Sequence, residues 1–451
     1  MINHDFLLTT DAAKDLYASV KALPIIDYHN HLSAKDIAEN KRFLDVYELW
    51  IAPDPYKHRA MRMCGVPEKY ITGEGTKEEK FVAWCETLPK LQLNPLSHWS
   101  YMELQTIFGW TAPVSGKNAS ELYAYCNEYL QNNELTVGKM MEIFGVEYAC
   151  PCASLVDDTS VFDGDKRFAP SLRGDDIVMP TKAFVEKLEI SAGIKIRNLA
   201  DLKKAICMRL DVFAACGCRF SDHALDNGFV YYADDGKNEK RFALAIAGKL
   251  SCEEKAKFSS YMLTFLGEEY AKRNFVMQLH IGAERYTSST LREKVGPAGG
   301  FAGIGNSVNV SSLTKFLDAV DRGEHGLPKT VLFTLNPADN ALMSVLSGSY
   351  AKDGVAGLIT QGPAWWWCDH KQGMVEMFEN ASVFSALSNF VGMTTDSRSF
   401  LSFVRHDYFR RVLCTWLGEK WTKGELLCDW DDVKSLAYNL CYGNGKTSVG
   451  L

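Results

Sequence analysis

The 451-residue chain is 47% hydrophobic and 23% charged, a globular balance with enough apolar material to offset ordering entropy, which excludes a disordered protein. A formal net charge of −7 argues against a general nucleic-acid or anionic-membrane binder, while leaving room for the local basic pocket that an anionic substrate needs. The thirteen cysteines are scattered, with Cys150/Cys152 and Cys216/Cys218 as Cys-x-Cys in apolar runs, and they read as reduced core residues rather than a disulfide scaffold or zinc ribbon. No basic leader followed by an apolar run and no bilayer-length apolar stretch occurs, so a cytoplasmic location is expected.

Residues 11–21 carry helical spacing (Ala12, Leu16, Tyr17, Val20), with Thr10 or Asp11 available as N-cap. This helix leads into a buried strand over 25–29, the first of eight. A long stretch, 34–142, is dominated by helical patterns and broken by Pro53, Pro55, Pro67, Pro89, Pro95 and Pro113. It predicts a helical insertion folding over the site, with Tyr56, Arg59, Arg62, His98 and Trp99 as its contributions. Thereafter strands are predicted over 146–152, 168–171, 218–222, 275–280, 330–335, 355–361 and 390–395. Helical periodicity lies between them over 199–215, 254–272, 311–321 and 374–387. Such βα alternation predicts an α/β chain: one (β/α)8 TIM barrel spanning 1–451, with the insertion between its first two strands.

Barrels build their sites at the C-terminal ends of the strands, and several predicted strands end on polar residues. The first ends on His29-Asn30-His31, two imidazoles on the same side of a strand. The fourth gives Asp222-His223, the fifth His280, the sixth Asn336 and the eighth Asp396-Ser397-Arg398. In a closed barrel the first and eighth strands are neighbours, so Asp396 joins His29 and His31. Two neutral nitrogen donors and one carboxylate with a position left open suit a catalytic divalent metal, with zinc the first choice. Arg398 points the same way as Asp396 and can pair with it or with an anionic substrate. Trp365-Trp366-Trp367 suits either packing or stacking on a sugar face. Arg405, Arg410 and Arg411 read as a solvated or salt-bridged helix face.

Longer motifs complete this reading: Ile26-Asp-Tyr-His-Asn-His-Leu32, Tyr56-Lys-His-Arg-Ala-Met-Arg62, Asn94-Pro-Leu-Ser-His-Trp99, Cys218-Arg-Phe-Ser-Asp-His-Ala-Leu-Asp226, His280-Ile-Gly-Ala-Glu-Arg285 and Gly392-Met-Thr-Thr-Asp-Ser-Arg-Ser-Phe400. In these and their order the chain resembles the uronate isomerases, a branch of the amidohydrolase superfamily. The resemblance implies a distorted barrel that interconverts D-glucuronate with D-fructuronate and D-galacturonate with D-tagaturonate. It implies His29, His31 and Asp396 as ligands of one divalent metal, and Tyr56, Arg398 and His280 as the reaction centre. Arg173, in Arg173-Gly-Asp175, resembles an Arg-Pro-Asp substrate element with Gly174 in place of its Pro, and His98 and Trp99 match a pocket-facing pair. Where the family commonly has Thr-Thr-Asp-Asp-Pro, this chain has Pro151-Cys152-Ala153-Ser154-Leu155, and Ala302 stands where an Asp is usual.

The chemistry moves a proton from C2 to C1 through an enediol, using a base near C2 and a cation that polarises the carbonyl. Asp396 and Tyr56 are the candidate bases, Asp396 only if its second oxygen is free, and Tyr56 only if cations such as Arg59 and Arg62 lower its pKa. His280 can shuttle the proton between O1 and O2. Arg173 is the first choice for the C6 carboxylate and Arg285 the next, with Arg59 and Trp366 as further contacts. A cationic arginine pocket could supply much of the polarisation, so dependence on the metal stays open. A small-molecule hexuronate and a second copy of the chain are the expected partners, with no nucleic acid and no membrane. The rival is a mononuclear metal-dependent hydrolase or deaminase on the same barrel.

Overall fold

The computed structural model describes residues 2–451. Thr10 caps the helix Asp11–Val20 by accepting the Ala13 amide, and its apolar stripe of Ala13, Leu16, Tyr17 and Val20 is buried. That stripe packs on the long helix Val404–Thr422 near the C-terminal end of the chain. Seven parallel strands follow in sequential order: β1 (Ile25–Asn30), β2 (Val146–Ser154), β3 (Ser171–Arg173), β4 (Phe220–Leu225), β5 (Val276–Ile281), β6 (Thr330–Thr334) and β7 (Ile359–Gln361). Helices such as Leu199–Ala215, Cys252–Arg273 and Val310–Asp321 connect them. The sheet is a distorted (β/α)8 barrel.

The predicted eighth strand, 390–395, is present in position but not as a regular strand. Gly392 and Asp396 have φ of 100° and 46°, outside extended geometry, so a ladder cannot run through them. Isolated backbone bonds and side chains replace part of it. The Asp396 amide donates to the His29 carbonyl at 3.1 Å, the His31 amide to the Ser397 carbonyl at 2.8 Å, and the Tyr28 hydroxyl to the Gly392 carbonyl. Thr394 and Thr395 bond to the buried Asp27 carboxylate, which also meets His406 Nε2 at 3.3 Å. The third strand also lies later than expected, at Ser171–Arg173, with Phe168 making only an isolated bridge to Ala149.

Between β1 and β2 the described residues hold helices and no strand, from Ala34–Ala38 to Val137–Phe144. Pro55 and Pro95 start helices rather than breaking them, because a first-turn proline lacks an N–H that would go unbonded there, and Asp54 and Asn94 cap the turns. Of the solvated or salt-bridged face expected for the arginines of Val404–Thr422, only the solvated form is overturned, since Arg405 pairs with Asp369 and Arg411 with Asp407. Arg405, Arg410 and Arg411 are all buried, and backbone carbonyls accept from their terminal nitrogens: Thr395 for Arg405, Lys21 and Pro24 for Arg410, His4 and Phe6 for Arg411. Among the described residues no helix is long and apolar enough to cross a membrane.

Candidate active site

A bulge positions the first ligand pair. Between Asp27 and Asn30 the β1 strand advances three residues while β2 advances two, from Ala149 to Pro151. The extra residue shifts the side-chain phase. Ile26 and Tyr28 fill the barrel interior, Tyr28 stacked on Phe220 at 5.2 Å, yet His29 still turns inward to meet His280, with ring centroids 4.8 Å apart. Asp396, at the end of the irregular eighth segment, brings Oδ1 to 3.2 Å from His29 Nε2 and 3.1 Å from His31 Nε2. Its other oxygen, Oδ2, accepts both the Trp365 and Trp366 indole N–H groups, at 2.7 and 2.8 Å. The left-handed φ of Asp396 and Trp366 (46° and 47°) places the backbone strain at the site itself.

A fourth group, absent from the sequence-based list, stands here. Cys152, on β2 beside the bulge, brings Sγ to 3.6 and 4.0 Å from the two His29 ring nitrogens, and His29, His31 and Cys152 converge tightly enough to share an ion. The sequence places it among the core cysteines, and its period-two spacing from Cys150 fits a core position and a strand-end site position equally. Cys252 and Cys428 depart from the core reading too, being exposed. A neighbouring group, His29, Asp222 and His280, also converges, and both Asp222 Oδ1 and His280 Nε2 are buried with no hydrogen-bond partner. Orphaned buried donor atoms beside a nitrogen, oxygen and sulfur set are what a divalent ion would satisfy, so the residues fit one.

Burial opposes charge on every member of the cluster, and mutual attraction outweighs it. His29 is raised well above the usual imidazole range and His31 to about 9, held up by Cys152 and Asp396, while the Cys152 thiol falls to about 5. Hydrogen bonds from both histidines hold the Asp396 carboxyl well below the ordinary carboxylate range. Burial instead wins at Asp222, pushed up to about 7, and at His280, held well below its usual value.

The cluster opens into a cavity of about 590 Å³ bordered by His31, Tyr56, Arg173, Arg285, Trp366, Trp367, Asp396, Arg398 and Ala302, among others. Such a volume suits a small-molecule ligand. Three guanidinium groups enter it in different states. The Asp226 carboxylate grips Arg285 Nε at 2.8 and 2.9 Å, and Arg285 lies over the Trp366 ring. Arg173 meets Asp175 at 3.3 Å. Arg398 is exposed and has no carboxylate partner among the described residues. Gly174 is needed beside Arg173, since a Cβ there would lie 1.9 Å from the His223 ring, which fills the space that a proline would occupy.

Other expected residues stand behind the cavity. His98 and Trp99 do not border it: His98 packs on Phe6 and Tyr408, and Trp99 on the Arg405 guanidinium at 4.0 Å, since the Asn94-capped helix turns both toward the helix Val404–Thr422. Arg59 is spent on the Gly300 and Ala302 carbonyls and the Trp367 ring, and Arg62 on Glu68. Neither serves Tyr56. The cation near that ring is Arg405 at 5.5 Å, and burial, reinforced by Asp396, drives the phenol well above its usual pKa. His280 is sealed off by Phe333, Trp365 and His29.

Comparison with known proteins finds relatives that match nearly the whole chain. The family model described as Glucuronate isomerase matches residues 1–448. A uronate isomerase of Bacillus licheniformis is 40% identical over 457 residues, covering 99% of this chain and 96% of the relative. The crystal structure of a Thermotoga maritima uronate isomerase superposes with a TM-score of 0.93 at 31% identity, covering 99% of each chain. That of a Caulobacter crescentus glucuronate isomerase gives 0.91 at 22% identity, over 100% of this chain and 97% of the other. With the family model matched over residues 1–448 and a relative 40% identical end to end, the chain belongs to the glucuronate isomerase family.

Proposed function

We propose that the cavity interconverts D-glucuronate with D-fructuronate, and D-galacturonate with D-tagaturonate, by moving a proton from C2 to C1. The observation that carries this is the convergence of His29, His31 and Asp396 with three guanidinium groups on one sugar-sized cavity. His29, His31 and Asp396 would hold one divalent ion, with zinc favoured by the donor set, and it would polarise the carbonyl. Arg173, whose fork is only lightly engaged by Asp175, receives the C6 carboxylate. Arg285, already gripped by Asp226, serves as a wall. Arg398, unpaired, stabilises the enediolate.

Between the two candidate bases the balance lies with Asp396, an ionised carboxylate bordering the cavity, because the Tyr56 phenol stays protonated. The second oxygen of Asp396 is not free in this state. Trp366, the cavity-facing indole of the two, is the donor that a bound sugar displaces to expose a lone pair, while Trp365 keeps the carboxylate aimed. Tyr56, rather than the sealed His280, carries the proton between O1 and O2, since its hydroxyl is at the cavity and can both donate and accept. The test is incubation with each uronate in D2O, following ketose and deuterium at C2 by NMR. Ketose from the wild type that vanishes in Asp396→Asn supports the reading. Absence of both ketose and exchange from folded, metal-replete protein rejects it.

A further inference from the structure

We propose that Cys152 is a fourth protein ligand of the metal held by His29, His31 and Asp396, giving this chain a site of two nitrogens, one oxygen and one sulfur. The proposal rests on the reading that the ion occupies that cluster. Bond lengths of about 2.0–2.1 Å to nitrogen or oxygen and about 2.3 Å to sulfur put neighbouring tetrahedral donors about 3.4 Å (N to O) and about 3.6 Å (N to S) apart. The two imidazole–carboxylate distances, both to Nε2, are 3.2 and 3.1 Å, and Sγ stands 4.0 Å from that same His29 Nε2 and 3.6 Å from its Nδ1, so the His29 ring needs only a small turn to bring Sγ onto the N-to-S edge. His29, His31 and Cys152 therefore offer donor atoms close enough together to share one ion, and Asp396 meets both imidazoles.

The strand geometry explains why this thiol and no other reaches the position. Tyr148 and Cys150 point into the barrel interior, and Cys152 continues that face one step further, to the C-terminal rim. The β1 bulge sets Asn30 opposite Pro151, which brings His29 and His31 alongside it. Sulfur donors select zinc-like ions over magnesium or manganese, so Cys152 influences which metal the site keeps. On binding, the thiol proton is released to solvent and no electron is transferred. With four protein donors in place, a substrate oxygen joins as a fifth.

The test uses full-length protein stripped with a chelator and reloaded with Co2+. The wild type should show a near-ultraviolet thiolate-to-cobalt charge-transfer band, and zinc-loaded protein should show one sulfur neighbour at about 2.3 Å by X-ray absorption. In Cys152→Ser and in Cys152→Thr, with unchanged far-ultraviolet circular dichroism, the band should vanish and metal retention should weaken by about tenfold or more. A bandless wild-type cobalt protein, a band that survives both variants, or a wild type that takes up no cobalt overturns the proposal. Ketose formation is measured on the same samples. An active cobalt enzyme without the band rejects the sulfur ligand and leaves the isomerase reading intact, and a banded protein that forms no ketose does the reverse.

Discussion

Two sets of arginines show how one side chain serves opposite ends. Arg405, Arg410 and Arg411 lie buried in the helix Val404–Thr422, bonded to backbone carbonyls and paired with Asp369 and Asp407. Arg173, Arg285 and Arg398 border the cavity, and their forks are taken up progressively less, from Arg285 through Arg173 to Arg398. A guanidinium has five donors, and where they are spent decides whether it braces the fold or waits for an anion. The buried set ties the N-terminal segment and the approach to β1 to the eighth position, which has no regular ladder of its own. Arg405 joins the two sets, holding the Thr395 carbonyl next to Asp396 while stacking on Trp99 and lying near Tyr56.

The largest effect should come from the buried set. Arg405→Met leaves Asp369 buried without its partner and should cost about 3–5 kcal/mol of stability by denaturant titration. Burial already raises the Asp369 carboxyl to about 7 against the pull of Arg405. Its folded value exceeds its unfolded one, so this group's stabilising contribution is full below pH ~4 and is lost as pH rises through about 7. The penalty of Arg405→Met should therefore be larger at pH 8 than at pH 5. An equal penalty at both would place the loss in packing alone.

Next in size, Arg398→Gln should lower kcat by about 10²–10³-fold, as loss of one oxyanion donor does, with stability unchanged within ~0.5 kcal/mol. A variant that unfolds instead would move Arg398 into the bracing set. Arg173→Lys keeps the charge and loses the fork; it should raise KM by an amount worth about 1.5–3 kcal/mol with kcat little altered. The smallest effect belongs to a third kind of arginine. Arg322, 78% exposed and paired with Asp318 one turn away, should tolerate Ala with a change of ~0.5 kcal/mol or less in a melting experiment.

Much of the site is legible in the chain because barrels repeat one rule, that polar residues ending apolar strands meet at one rim. His29, His31 and Asp396 follow from it directly, and so does the place of Asp222 and His280. Other features do not. Cys152 is indistinguishable from a core cysteine without the partner strand, since the same alternation serves both. The arginines of Val404–Thr422 carry the composition of a solvated face, and only the docking of the N-terminal segment supplies the carbonyls that bury them. Trp365 and Trp366 look like packing until Asp396 is found between their N–H groups.

By itself the amino-acid order determined the βα alternation, the helical stretch between the first two strands and the pairing of strand-end histidines with Asp396, because periodicity and strand ends are local properties. The tertiary structure alone decided the β1 bulge that turns His29 inward, the irregular eighth position, the occupied second oxygen of Asp396, the retreat of His98, Trp99 and His280 from the cavity, and the arrival of Cys152. Each of these depends on contacts between residues far apart in the chain. There, hydrogen-bond satisfaction and packing across strands outweigh what any one segment prefers.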